Sequence, residues 1–550
     1  MPTEPKRWGY AVWTVLIGAF AVLHAINLSA DFPNHSPWLH DWAKYTDEGW
    51  YGNAAIRQHL FGNWYVPGDF NPAPAVPVWP FLEWVLFFFT GVTVDAARGL
   101  AVAFFFANLV LSYILLRPRG PRWMALLALT LIVTSPFLYC FSRLAILEPM
   151  LTTLMLLALN VAVRLPHLRR PVVASACIGA LFTLMMLTKT TAIFLLPAIG
   201  WAMLASFWDS TAPSGQTLRT TPRSWIADCF VRCAIAAASA FVLTFGLWMG
   251  LVVHFGLYAD YKYLFFINNY IKPNQFYWPL ISLWWSLHGA IWVDHILIPL
   301  AGLLIPGVII AGTLRANRNK WGRALLLDPV FGASVLAAAG YILFMTYQNH
   351  PQPRYFAVVA VFCFLAIARS VQTLVAQSGR TRLAGISAVA LVAIAVVING
   401  SWTLSYVTHP EYTFVTAARQ LARYIDEHPN GNRLLVSISG DEISLLTHLP
   451  ALCDDFGTPS PKYPDLATKL FRYQPGWWAT WNDIDPGTLE DIHNHFSLEQ
   501  VASFRAFDDP DRNVLVLFKL HPLPNGVVRK RTGDKSQVAL PGDKIDIPIE

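Results

Sequence analysis

At about 150 residues per domain, 550 residues would make three or four soluble domains. Hydrophobic residues are 55% of the chain, however, and charged ones only 13%, about half the share in an ordinary globular chain. Disorder, collagen-like repetition, nucleic-acid binding as the main business and a soluble enzyme with an ordinary core are excluded; the composition is that of a polytopic membrane protein. The net charge of +6 is unevenly spread. Residues 1–407 carry 26 Lys and Arg against 14 Asp and Glu, residues 408–522 carry 9 against 16, and residues 523–550 carry 5 against 4. The first stretch holds nearly all the long apolar runs, the second reads as water-soluble, and the third, polar and punctuated by Pro and Gly, reads as a disordered tail.

In chain order, apolar runs long enough to span begin near 9–28, 77–92, 100–116, 123–141, 150–163, 172–187, 192–208, 230–253, 288–311, 329–347, 355–368 and 383–406. Lys6 and Arg7 place the N-terminus inside by the positive-inside rule. If 77–92 spans, the cluster Arg117, Arg119, Arg122 falls outside and every later cluster is flipped. If it lies along the outer surface, all clusters fall inside, giving 18 Lys and Arg there against 8 in the outer loops. The segment begins Pro77-Val-Trp-Pro80, carries Glu83 and is short, which suits a surface helix. Eleven spans are therefore expected, with the N-terminus cytoplasmic and residues 408–522 extracytoplasmic. Residues 1–28 read as a retained anchor, because no small-residue cleavage site precedes Asp31.

The soluble stretch shows an amphipathic helix at 413–428, with Ala417, Leu421 and Ile425 at helical spacing. Short strands at 434–438 and 514–520 and helices at 465–471 and 488–496 make a small α/β domain. Trp477, Trp478 and Trp481 form either a local core or a platform for sugar rings. None of the six cysteines makes a CxxC pair, so neither a zinc site nor a disulfide scaffold is expected.

Four groups on the outer side could carry chemistry. Tyr45-Thr-Asp47-Glu48-Gly-Trp-Tyr51, followed by Ala54, Ala55 and Arg57, reads as a helix with Thr46 as N-cap. Two acids in a first turn can simply answer the helix dipole, but here they meet Tyr51 and Arg57 at the mouth of the bundle. Arg143 and Glu148 sit where one span ends and the next begins, as a functional pair or as an ion pair closing the turn. Lys189 stands between two spans with almost no loop, where a snorkelling role is the alternative. Arg354 enters a span beside Asn349, Gln352 and Tyr355. Cations at the membrane boundary (Arg143, Lys189, Arg354) suit a phosphate, and a carboxylate beside them suits a general base. Neither ATP nor a nucleotide sugar is expected outside, whereas a lipid phosphate meets every requirement.

In these residues the chain resembles the GT-C superfamily of polytopic glycosyltransferases, in particular the dolichyl-phosphate-mannose protein mannosyltransferases of family 39 and the bacterial aminoarabinose transferases that act on lipid A. The matching pieces are Asp47-Glu48 with Tyr51 and Ala54/Ala55, the proline-rich segment after them, Arg98, Ser142-Arg143 through Glu148, Thr188-Lys189-Thr190 and Arg354-Tyr355. The resemblance implies about eleven transmembrane helices in a GT-C-like catalytic domain (1–407) with outer juxtamembrane helices, an extracytoplasmic α/β domain (408–522) and a tail (523–550). It also implies inverting transfer of a sugar from a polyprenyl-phosphate donor to a lipid, glycan or protein acceptor, within membrane lipid and without nucleic acid. Asp47 would be the base with Glu48 orienting it; Arg143, Lys189 and Arg354 would hold the donor phosphate, with Tyr51, Arg57, Glu148 and Tyr355 in support. A divalent cation (Mg or Mn) at Asp47 and Glu148 is left open, since some superfamily members use one. Two departures matter: Glu148 stands where Asp is usual, and 70–77 lacks the Lys of the aminoarabinose group. A transporter or flippase of lipid-linked saccharides would instead predict internal repeats and charge at mid-membrane, and a scaffold would need no cation–carboxylate set.

Overall fold

The computed structural model describes residues 7–38, 41–69, 71–210, 223–267, 297–314, 320–347, 352–454, 466–509 and 512–523. The expected tail, the beginning of the span expected at 288–311, Arg219, Arg315, Arg318 and the loop with Asn349 lie outside these residues. The first ten α-helices are α1 (Arg7–Leu23), α2 (Asp47–Phe61), α3 (Val78–Thr90), α4 (Val94–Leu116), α5 (Arg122–Thr134), α6 (Pro136–Ser142), α7 (Glu148–Ala162), α8 (Pro171–Thr188), α9 (Leu196–Ser210) and α10 (Arg223–His254). The helices Leu297–Leu314, Pro329–Tyr347, Phe356–Val375 and Gly379–Thr408 complete the bundle.

Runs of Leu, Ala, Val and Phe become helices because a chain in lipid must satisfy every backbone N–H and C=O internally. Seven described helices are long and apolar enough to cross a membrane, and the chain is an integral, multi-pass membrane protein. α5 and α6 together pass the same test but bend by 67°, at Pro136. There the chain loses an N–H and Ser135 Oγ caps the new turn by accepting from Leu138 N at 3.3 Å. Shorter apolar helices lie at Trp8–Leu23, Val78–Thr90, Glu148–Ala162 and Leu304–Thr313. α3 packs on α2 through buried Trp79, Glu83 and Phe87, and turns Phe81, Phe88 and Phe89 outward.

The C-terminal domain is built on a five-stranded mixed sheet in the order β2-β1-β3-β5-β4. Its strands are β1 (Leu435–Val436), β2 (Ala451–Leu452), β3 (Trp477–Trp481), β4 (Phe496–Arg505) and β5 (Val514–Pro522). β1 runs parallel to β2 and β3, while β3–β5 and β4–β5 are antiparallel. Helix Thr413–Glu427 covers one face, burying Phe414, Ala417, Leu421 and Ile425 against Trp477, Ala479 and Trp481. Trp478 points to the other face, against Leu470, Leu489 and Ile492. The tryptophan cluster is therefore core: the three rings are 0%, 0% and 2% exposed. The indole N–H groups of Trp478 and Trp481 donate to Asp454 Oδ2 at 3.0 Å and Ser439 Oγ at 3.1 Å. Buried tyrosine and tryptophan usually find such a partner.

Candidate functional site

The site is organised by α2. Its acids stand in the first turn, where the helix dipole favours negative charge. It ends at Gly62, whose φ of 76° closes the helix by carrying its N–H back to the Gln58 carbonyl at 3.2 Å. At 100° per residue the helix has three walls. Asp47, Tyr51, Ala54, Ala55 and Gln58 share one. Glu48 and Gly52 face α3 and α4. Gly49, Asn53 and Arg57 face the C-terminal domain.

On the first wall, Asp47 meets Arg354. Nη2 of Arg354 lies 2.7 Å from Asp47 Oδ2, and Nη1 bonds Asp41 Oδ1 at 2.7 Å. The backbone N–H of Arg354 donates to Asp41 Oδ2 at 2.8 Å. Asp41 in turn accepts from Ala43 N at 2.9 Å, and Gln352 Oε1 accepts from Trp42 N at 3.1 Å. The turn before α2 is thus stapled to the segment that bears Arg354. Beside this pair, Lys189 is salt-bridged to Glu148 Oε1. The ammonium sits 4.6 Å from the centre of the Tyr355 ring, and the guanidinium of Arg354 sits 5.1 Å from it. Asp47, Glu148, Lys189, Arg354 and Tyr355 are all buried, and Lys189 and Glu148 are close enough to act on Asp47 electrostatically. Burial raises the pKa of Asp47 above the ordinary carboxylate range, against the pull of Arg354. Burial also raises Tyr51, with Asp47 adding to the effect.

The other expected residues go elsewhere. Glu48 is fully buried, grips Arg98 through both oxygens (2.7 Å to Nε, 2.5 Å to Nη2) and accepts from Ala145 N at 2.8 Å. Arg98 also donates to the carbonyls of Leu28 and Ala30. Such saturation describes a structural tie between α2, α4 and the turn before α7. Glu48→Gln is expected to cost about 3–5 kcal/mol of stability, as breaking a buried pair does, read as a fall in the thermal midpoint in detergent. An unchanged midpoint with lost activity would return Glu48 to the reacting centre. Arg143 donates to the Tyr139 hydroxyl and to the carbonyls of Ile26 and Asn27, closing the turn after α1. Among the described residues no carboxylate pairs with it; Glu148, its alternative partner in the sequence, is taken by Lys189. Arg57 pairs with Asp69 at 2.6 Å and Asp441 at 3.0 Å, on the wall turned away from Asp47. Asp41, missed in the sequence because it lies in an aperiodic loop, is the addition.

Asp47 and Glu148 are the carboxylates a divalent ion would need. Each already faces a cation of the protein, and among the described residues no three His, Cys, Asp or Glu side chains converge on a point that could hold an ion. Further down the first wall, about 11 Å from Asp47 at 1.5 Å per residue, Ala54, Ala55 and Gln58 line a cavity of about 450 Å³. Trp64, Pro74, Trp84, Trp248 and Leu251 line the rest of it, making an almost wholly apolar, half-open chamber.

No family model and no curated protein matches the sequence. Solved structures do. ArnT from Cupriavidus metallidurans bound to undecaprenyl phosphate superposes with a TM-score of 0.58 at 15% identity, covering 92% of this chain and 98% of that one. The same protein in the apo state gives 0.55 at the same identity and coverage. The archaeal oligosaccharyltransferase AglB from Archaeoglobus fulgidus, in complex with an inhibitory peptide and a dolichol-phosphate, gives 0.45 at 12% identity, over 94% of this chain and 75% of that one. With nearly the whole of both chains superposed on ArnT, this protein has the GT-C fold that its sequence resembles.

Proposed function

We propose that the protein is an inverting glycosyltransferase that moves a sugar from a polyprenyl-phosphate donor to an acceptor hydroxyl at the extracytoplasmic face. The observation that carries this reading is the buried cluster of Asp47, Arg354, Lys189, Glu148 and Tyr355 on the same α2 wall as the apolar chamber. An isoprenoid chain fits such a chamber, and the phosphate at its head needs cations at the boundary. The undecaprenyl phosphate bound by ArnT, a protein of the same fold, supports the same donor class.

Three carboxylates, those of Asp41, Asp47 and Glu148, already face the two cations Arg354 and Lys189. An incoming phosphate therefore takes Lys189 from Glu148 rather than finding a free cation. Asp47 removes the acceptor proton as the hydroxyl oxygen attacks the anomeric carbon from the face opposite the phosphate. The bond from that carbon to the phosphate oxygen breaks, and the lipid phosphate leaves with the electron pair, its charge held by Lys189. Arg354, hydrogen-bonded to Asp41 and ion-paired with Asp47, fixes the base in place. Lipid, glycan and protein acceptors all present hydroxyls suited to this attack.

The test uses purified protein in nanodiscs with a panel of radiolabelled polyprenyl-phosphate sugars and a membrane-extract acceptor. Label leaving the lipid supports the reading. An undiminished donor pool, with lipid-linked sugar crossing liposome bilayers, would replace it with transport. Because the cations are the protein's own, transfer is expected to be unchanged within about twofold, about 0.4 kcal/mol, after dialysis against EDTA. Loss of transfer on chelation, restored by Mg or Mn, would overturn the metal-free step.

A further inference from the structure

The third wall of α2 has no part in the chemistry just described, yet it is as closely fitted as the first. A helix start leaves backbone N–H groups without partners, and a side chain of the preceding residue usually takes one. Thr46 does not: its hydroxyl lies 2.9 Å from the Trp42 carbonyl and 3.0 Å from Asp47 Oδ1, and makes no cap bond. Glu442, 393 residues further on, takes the role instead, accepting from Gly49 N through Oε2 at 2.8 Å. Glu442 is 1% exposed and stands in the first turn of helix Gly440–Thr447. That helix approaches so closely that a Cβ on Gly49 would lie 2.2 Å from the Asp441 backbone carbonyl.

The contact continues on both sides. Asp441 Oδ1 meets Arg57, and Lys44 is paired with Asp509 at 2.9 Å with both side chains buried. The capping is reciprocal, because Asp31, in the loop after α1, accepts from Phe414 N at 2.8 Å and Val415 N at 3.2 Å at the start of helix Thr413–Glu427.

We propose that the C-terminal domain is an obligate part of the catalytic unit and that Glu442 is a positioning residue, fixing the first turn of α2 so that Asp47 faces Arg354 in the reactive geometry. This rests on the role given to Asp47 above. Asp47 lies two residues before Gly49 in the same turn, so fraying of that turn moves the base. Burial, with Glu48 nearby, raises Glu442 above the ordinary carboxylate range. A protonated carboxyl still accepts through its carbonyl oxygen. The amide introduced by Glu442→Gln therefore reproduces the cap, whereas Glu442→Asp, one methylene shorter, keeps the carboxyl and loses the reach.

The experiment compares wild type, Glu442→Gln and Glu442→Asp as full-length proteins in nanodiscs. Two readouts are taken: amide hydrogen exchange at Gly49 and Trp50, and transfer from radiolabelled polyprenyl-phosphate sugars. Glu442→Gln is expected to keep amide protection and kcat within about threefold. Glu442→Asp is expected to lose protection at the first turn of α2 and to lower kcat about 100-fold, as a displacement near 1 Å does, with the donor KM little changed. Protection and kcat retained in Glu442→Asp, or lost equally in Glu442→Gln, would overturn the proposal. If wild type consumes no donor, the glycosyltransfer reading fails, while the exchange arm still decides whether Glu442 holds the turn.

Discussion

Asp47→Asn is expected to lower kcat roughly 10²- to 10⁴-fold, the usual contribution of a positioned general base, while leaving the protein at least as stable at neutral pH. Both halves follow from burial. Taking Asp47 out of water disfavours its charged form more than Arg354 restores it, so its folded pKa exceeds the unfolded one. A carboxyl shifted in that direction contributes stability below its unfolded pKa and loses it as pH rises through the folded value. At neutral pH the ionised group is therefore a cost, which the amide removes. Arg354 is not orphaned by the change, since Asp41 still holds its Nη1 and its backbone N–H. Catalysis needs the opposite state. The acid limb of kcat/KM should lie above the ordinary carboxylate range near 4 and should vanish in the variant, leaving a flat residual rate. The measurement is a pH–rate profile and a thermal midpoint on both proteins. A variant that keeps more than about a tenth of wild-type kcat, beneath the hundredfold floor for a general base, and the same acid limb would move the base to another carboxylate.

The sequence disclosed the parts of this arrangement that depend on composition and sidedness. Lys189, Arg354, Glu148 and Asp47 could be placed at one end of the bundle because charge at a membrane boundary is costly and the arginine clusters mark the other end. Which wall of α2 each residue occupies was not legible. Asp47 and Glu48 are neighbours in the chain but 100° apart on the helix, and only the packing of α4 assigns Glu48 to Arg98. Proximity in sequence groups Arg57 with the acids, whereas its partners are Asp69, 12 residues on, and Asp441, 384 residues away. Glu442 was unreadable for the same reason, because a cap supplied across that distance leaves no local pattern. β3 was missed because a central strand covered on both faces does not alternate, so Trp477-Trp-Ala-Thr-Trp481 showed no period. Asp41 caps only the three-residue turn Trp42–Lys44, too short to leave a period in the sequence, and its link to Arg354 spans 313 residues.

Arg354→Lys is the second large effect expected, and it separates charge from shape. Lysine keeps the positive charge but is a single point on a flexible stem, whereas guanidinium is a planar fork with donors fixed in direction. In this site the fork spans two carboxylates, with Nη1 on Asp41 and Nη2 on Asp47. An ammonium can sit close to one of them at a time. If it stays with Asp41, which also receives the backbone N–H of residue 354, Asp47 loses its counter-charge. Its pKa then rises further, because burial is left unopposed. The acid limb of the pH–rate profile should move to higher pH in the variant, and kcat at neutral pH should fall about 100-fold, comparable to a small misplacement of the reacting groups. Donor KM should change much less, because the proposed step gives the leaving phosphate to Lys189 rather than to Arg354. The reverse split, with KM raised and the acid limb unmoved, would make Arg354 the phosphate ligand and leave Asp47 positioned by its helix alone.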